Sequence, residues 1–128
     1  MVLIYGGAYQ GKRDFAKERF NLKDGGIYEC TGDNGVPERI AEHKCIYNFH
    51  LLVYALLQSG KDPLAYVTEN IGAFDGKIII SDDISCGVVP MGAENRAWRE
   101  AAGRCLTYLS KNAAEVWRVF CGIPTKLK

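Results

Sequence analysis

Seven residues near the N-terminus have the spacing of a phosphate-binding loop. Gly6-Gly7-Ala8-Tyr9-Gln10-Gly11-Lys12 fits G-x-x-x-x-G-K. Glycines let the backbone wrap closely with its amides turned inward, and a following helix adds the positive end of its dipole. A lysine at the helix start then reaches the outer phosphates. The flanks suit this chemistry: the apolar run Val2-Leu3-Ile4-Tyr5 reads as a buried strand, and a helix pattern follows. One position departs. The next residue should be Ser or Thr, whose hydroxyl binds Mg²⁺, and it is Arg13. A guanidinium is always cationic and could pair a phosphate directly, or it could be a solvated first-turn residue. A purely structural glycine turn with a chance lysine is the plain alternative for the whole stretch.

Three further places carry groups that could serve such a loop. Asp82-Asp83 follows the apolar run Ile78-Ile79-Ile80, where a phosphoryl-transfer enzyme keeps the carboxylate that organises Mg²⁺; a turn cap is the alternative. Thr31 opens the turn-rich string Thr31-Gly32-Asp33-Asn34-Gly35 at the end of a second strand. The chain has two histidines, His43 and His50, and an ordinary imidazole is largely neutral near pH 7. His43 beside Glu42 reads as a solvated helix histidine. His50 lies on an apolar segment, where it is a core residue or points at the ligand edge.

Strands at about 2–5, 27–30, 77–81 and 115–121 alternate with helices at about 11–20, 46–58, 62–71 and 94–111. A further helix is expected after Pro37, which suits a first turn. Asp62-Pro63 gives the cap and first-turn proline of the next one. Trp98, Ala101, Ala102, Cys105, Leu106 and Leu109 form an unbroken helical stripe, read as core. The string Gly122-Ile123-Pro124 reads as a turn. Alternation of this kind predicts an α/β fold, a parallel sheet with flanking helices. Ligands of such sheets bind outside the carboxyl ends of the strands. That edge would collect the loop, Thr31, Asp82, Asp83 and Gly122.

At 128 residues the chain is read as one domain. Lys plus Arg is 16 and Asp plus Glu is 15, giving a net charge of +1. No basic stripe exists to grip nucleic acid. Cys30, Cys45, Cys86, Cys105 and Cys121 form no C-x-x-C pair, so zinc is not indicated and reduced thiols, most of them in the core, are expected. The longest apolar-rich stretch, around residues 51–57, is too short to span a membrane. A cytoplasmic location follows as the expectation.

The last third carries a more specific signature. It runs from Ile78-Ile79-Ile80-Ser81-Asp82-Asp83 through Gly87-Val88-Val89-Pro90, then Trp98-Arg99-Glu100 and Gly103-Arg104. It ends in Ala114-Glu115-Val116 and Gly122-Ile123-Pro124, with Leu127-Lys128. Together with the Gly-Gly-Ala-x-x-Gly-Lys loop, this resembles the bifunctional adenosylcobinamide kinase / adenosylcobinamide-phosphate guanylyltransferase family of cobalamin biosynthesis. The likeness covers roughly residues 1–20 and 77–128. It implies a P-loop NTPase-like single domain, often assembled as a homo-oligomeric trimer. It also implies GTP or ATP with Mg²⁺, a corrinoid (adenosylcobinamide) substrate, and transfer of GMP through a guanylylated histidine. Arg39-Ile40-Ala41-Glu42-His43 fits the family's Arg-Ile-x-x-His, which nominates His43, with His50 as the second candidate. The acidic half-motif that precedes this string in the family is absent, and the middle, residues 28–77, is short. A nucleotide-binding regulatory or interaction protein that has lost catalysis is the rival reading. A small-molecule kinase without histidine chemistry lies between the two.

Overall fold

The computed structural model describes every residue except Arg39 and residues 85–92. The string from Ser85 into Pro90, Cys86 and the Arg39 half of the Arg39/His43 pairing therefore lie outside the described residues. Six strands among those described form one sheet: β1 (Val2–Gly6), β2 (Ile27–Glu29), β3 (Cys45–Tyr47), β4 (Ile78–Asp82), β5 (Glu115–Phe120) and β6 (Ile123–Lys126). Four helices accompany them: α1 (Lys12–Phe20), α2 (Phe49–Gln58), α3 (Pro63–Glu69) and α4 (Ala93–Asn112). The strand order is β2-β3-β4-β1-β5-β6. All neighbours run parallel except the β5/β6 pair. This is the expected α/β sheet.

Side chains alternate across each strand and so build two cores. Leu3, Ile46, Ile79 and Val116 face one side, with α2, α3 and α4 packed over them. Ile4, Cys45, Ile78, Ile80 and Val119 face the other, covered by Ala16 of α1. In the predicted α4 stripe, Ala102, Cys105 and Leu109 are fully buried, and Trp98, Ala101 and Leu106 pack at the margin. Asp62 caps α3 as expected, accepting from the Leu64 amide at 3.1 Å.

Three expectations are corrected. The all-apolar segment 46–58 is not one helix. Cys45 and Ile46 are buried on opposite faces between β2 and β4, so they form a strand. Asn48 then turns the chain into α2 with φ 62°. The helix expected after Pro37 is a single 3₁₀ turn, Ile40–Glu42. Because β2 and β3 are parallel neighbours, this segment returns the chain to the start of β3 and sinks Ile40 into the core on the way. Finally, residues 123–126 are an edge strand. Cys121 (φ 51°) and Gly122 (φ 76°) make a two-residue turn of the type that suits a tight hairpin. Pro124 pairs opposite Val119, and proline is tolerated on an edge.

No helix among the described residues is long and apolar enough to cross a membrane.

Two predictions follow from the packing. A Cβ on Gly6 would stand 2.3 Å from the Val119 carbonyl oxygen. Gly6→Ala is expected to lose about 1–3 kcal/mol of stability, the usual cost of overpacking, measured by urea denaturation. Burial pushes the Cys30, Cys45 and Cys105 thiols up to about 12, so hardly any thiolate forms at pH 8. In a Cys86→Ser/Cys121→Ser background a thiol reagent at that pH should label nothing in the native protein and all remaining cysteines in denaturant.

Candidate nucleotide site

The loop between β1 and α1 starts where a side chain is excluded. Gly6 lies against the Val119 backbone, and a Cβ on Gly11 (φ 90°) would come within 3.3 Å of Gly122 Cα. The loop is thus laid on the β5/β6 turn. Gln10 fastens it there: its carbonyl accepts from the Gly122 amide at 2.9 Å, and its side-chain Oε1 accepts from the Cys121 amide. Gly7 and Ala8 are exposed, and Tyr9 (φ 58°) stands fully in solvent. Among the described residues, no backbone carbonyl accepts from the amides of residues 11–14. They are donors available to an anion.

Lys12 is the first residue of α1 and is only 4 % exposed. Its ammonium donates to the Gly7 carbonyl at 2.6 Å and pairs with Asp82 Oδ1 at 2.7 Å. The pairing follows from the sheet. β1 and β4 are neighbours with Gly6 opposite Asp82, so the strand that feeds the loop and the strand that ends in the carboxylate finish side by side. Alternation sends Asp82, like Ile80, toward the α1 face. Asp83 comes from the other phase: its amide donates to the Gly6 carbonyl at 2.8 Å, and it borders a groove with Tyr5 and Leu106 under α4. Of the two expected carboxylates, only Asp82 reaches Lys12.

His50 completes this group from the first turn of α2. It is 6 % exposed. Its Nδ1 accepts from the Asp82 amide at 3.1 Å, and its Nε2 stands 3.5 Å from Asp82 Oδ2. Burial lowers its pKa from the ordinary histidine value, against the pull of the Asp82 carboxylate. The Trp98 indole N–H of α4 donates to the His50 carbonyl at 2.7 Å. Loop, Asp82, His50, Tyr47 and Asn48 line a recess of about 540 Å³.

The remaining candidates are held elsewhere or otherwise engaged. Arg13 borders the recess, but its guanidinium sits 3.6 Å from Asp24, 3.7 Å from Glu29 and over the Tyr47 ring at 5.1 Å. Thr31 closes its own turn, its hydroxyl accepting from the Asp33 and Asn34 amides. It follows β2, three strand positions from β1, roughly 14 Å at the usual strand spacing. His43 precedes β3, packs its ring at 53° to that of Tyr28 with centroids 5.0 Å apart, and lines a separate recess with Glu38 and Glu42. It lies toward the amino ends of the strands, away from the loop. The sequence reading missed the Gln10 tether, the part played by Tyr47 and Asn48, and the Trp98 clamp. Gln10 sits inside the motif but at a freely varying position, so nothing marked it.

The Lys12–Asp82 pair has a testable energetic signature. Asp82→Asn leaves a buried ammonium short of its anion and is expected to cost about 1–3 kcal/mol. Adding Lys12→Met should recover part of that loss. A double-mutant cycle by chemical denaturation reads the coupling.

Comparison with protein families matches one model, cobinamide kinase / cobinamide phosphate guanyltransferase, over residues 51–127. Comparison with curated proteins gives no match. The matched region holds α2 from its third residue, β4 with Asp82 and Asp83, α4 and the β5/β6 hairpin. The loop at residues 6–12 precedes it, so the loop's assignment rests on its own geometry. With more than half of its length matched, the chain belongs to the cobinamide kinase / cobinamide phosphate guanyltransferase family.

Proposed function

We propose that this chain binds a nucleoside triphosphate, GTP or ATP, on the loop of residues 6–12 and phosphorylates a corrinoid alcohol, adenosylcobinamide. The observation that carries the reading is Lys12: an ammonium held almost out of water at the start of a helix whose first amides, those of residues 11–14, have no backbone acceptor among the described residues. The phosphates would take those amides, and Lys12 would exchange the Gly7 carbonyl for an outer phosphate oxygen.

The residues present also fit Mg²⁺, which is usually held by one or two carboxylates together with substrate phosphates. Asp82 is 23 % exposed and borders the recess; no cluster of three acidic, His or Cys ligands exists among the described residues. A single carboxylate sharing the ion with the nucleotide matches that arrangement. The ion would supply charge neutralisation on the transferred group. Lys12 and the loop amides would hold the phosphates in line. The oligomer implied by the resemblance belongs to the same proposal.

The geometry favours phosphoryl transfer over guanylyl transfer through a histidine. His43 sits toward the opposite strand ends, and the Nδ1 of His50 is taken up by the Asp82 amide. An acid-labile adduct from GTP labelled at the α-phosphate, lost in His43→Ala, would restore the histidine route. A second reading, a nucleotide-binding protein without catalysis, is favoured by Arg13, whose charge is engaged by Asp24 and Glu29 where a metal-binding hydroxyl is expected.

Calorimetry with GTP and with ATP tests the binding. Lys12→Ala should weaken it by about 2 kcal/mol, roughly thirtyfold. No binding by the wild type at millimolar nucleotide would overturn the reading. Binding without phosphate transfer to adenosylcobinamide would select the non-catalytic one.

A further inference from the structure

A single exposed aromatic on a protein surface ordinarily needs no account. Tyr9 is set apart by its backbone, its exposure and its place. Its φ is 58°, in the left-handed region, which a residue with a side chain occupies at a cost that glycine avoids. Its ring stands wholly in solvent, at 104 % relative exposure, so the side chain offsets none of that cost by packing. It also lies in the loop of residues 6–12, on the rim of the nucleotide recess. Backbone strain kept without a packing gain is the mark of a functional position.

The loop gives the ring a fixed place. Two residues before Tyr9, the Gly7 carbonyl is held by the Lys12 ammonium at 2.6 Å. One residue after it, the Gln10 carbonyl accepts from the Gly122 amide at 2.9 Å, and Gln10 Oε1 accepts from the Cys121 amide. Ala8 and Tyr9 are therefore a short crest between two anchored points.

The crest stands at one end of a bound triphosphate. In a loop of this pattern the lysine reaches the outer phosphates, while the inner ones lie on the amides at the helix start. The Lys12 ammonium rests against Gly7, at the foot of the crest. The nucleoside belongs beyond the inner phosphates, on the Arg13 and Asp14 side of the recess. The molecule that must approach the outer phosphate is the acceptor. A corrinoid is a broad ring system edged with methyl and amide groups. An aromatic face suits it, because packing on that face buries apolar area without requiring a hydrogen bond.

We propose that Tyr9 is an acceptor-contacting residue: its ring packs against the corrinoid that receives the outer phosphate and takes no part in holding the nucleotide. The choice of ligand rests on the function proposed above, and the experiment separates the two.

The full chain is dialysed to equilibrium against adenosylcobinamide, with and without a non-hydrolysable ATP analogue and Mg²⁺. The absorbance of the corrinoid reads the bound fraction, and calorimetry reads the analogue. Tyr9→Gly removes the ring and suits the backbone. It should weaken adenosylcobinamide about tenfold in the analogue complex and leave the analogue's own affinity within about twofold. Tyr9→Phe keeps the ring and should bind the corrinoid within about twofold of wild type. Undiminished corrinoid affinity in Tyr9→Gly overturns the proposal. So does a loss that falls equally on the analogue, which would make the ring a nucleotide contact. If the wild type binds no analogue, the nucleotide reading fails by itself, and dialysis without nucleotide decides. A loss of about tenfold in Tyr9→Gly there sustains the contact. Equal affinity, or no corrinoid binding by the wild type, overturns it.

Discussion

The pairing of the buried Lys12 with Asp82 constrains everything around it. An ammonium removed from water is costly unless an anion and further acceptors meet it. Lys12 finds both in Asp82 and the Gly7 carbonyl. Neither partner can be supplied by the loop's flanking strand alone. The carboxylate arrives because β4 is inserted between β1 and β3, in a register that sets Asp82 opposite Gly6. The carbonyl arrives because the loop turns back over the helix start, and that turn is possible only where Gly6 and Gly11 let backbone meet backbone.

The Lys12 ammonium lies on the protein's own oxygens, the Asp82 carboxylate and the Gly7 carbonyl, while the amides of residues 11–14 have no backbone acceptor among the described residues. On the proposed function, a nucleotide would offer phosphate oxygens to both sets of donors at once. The rearrangement asked of the protein is then small: a change of partner for one side chain on a loop already pinned to the β5/β6 turn by Gln10. The hairpin, matched by the family model, and the loop, which precedes the match, are in this way one structural unit.

Arg13 stands where the loop pattern carries a hydroxyl. Its charge is taken by Asp24 and Glu29 and its face by Tyr47. It ties the start of α1 to β2 and β3 and leaves Asp82 as the carboxylate that meets Lys12 at the recess. His50 meets the same residue at its backbone, accepting the Asp82 amide proton on Nδ1.

What the sequence determined by itself was local. The glycine spacing, the strand before it and the helix after it are encoded within a dozen residues, because backbone freedom and side-chain period depend on near neighbours. The α4 stripe and the Asp62 cap were readable for the same reason. Tertiary structure decided the rest. Segment 46–58 divides into strand and helix because Cys45 and Ile46 are claimed by β2 and β4 on either side, a competition that an apolar run does not reveal. Residues 40–43 form a return path with a single 3₁₀ turn because β2 and β3 are parallel neighbours, and this carried His43 away from the loop. The choice between Asp82 and Asp83, and the union of Lys12, Asp82 and His50, depend on strand order and on a register in which a one-residue shift reverses every side chain. Those quantities are set by contacts between segments far apart in the chain, and no local pattern contains them.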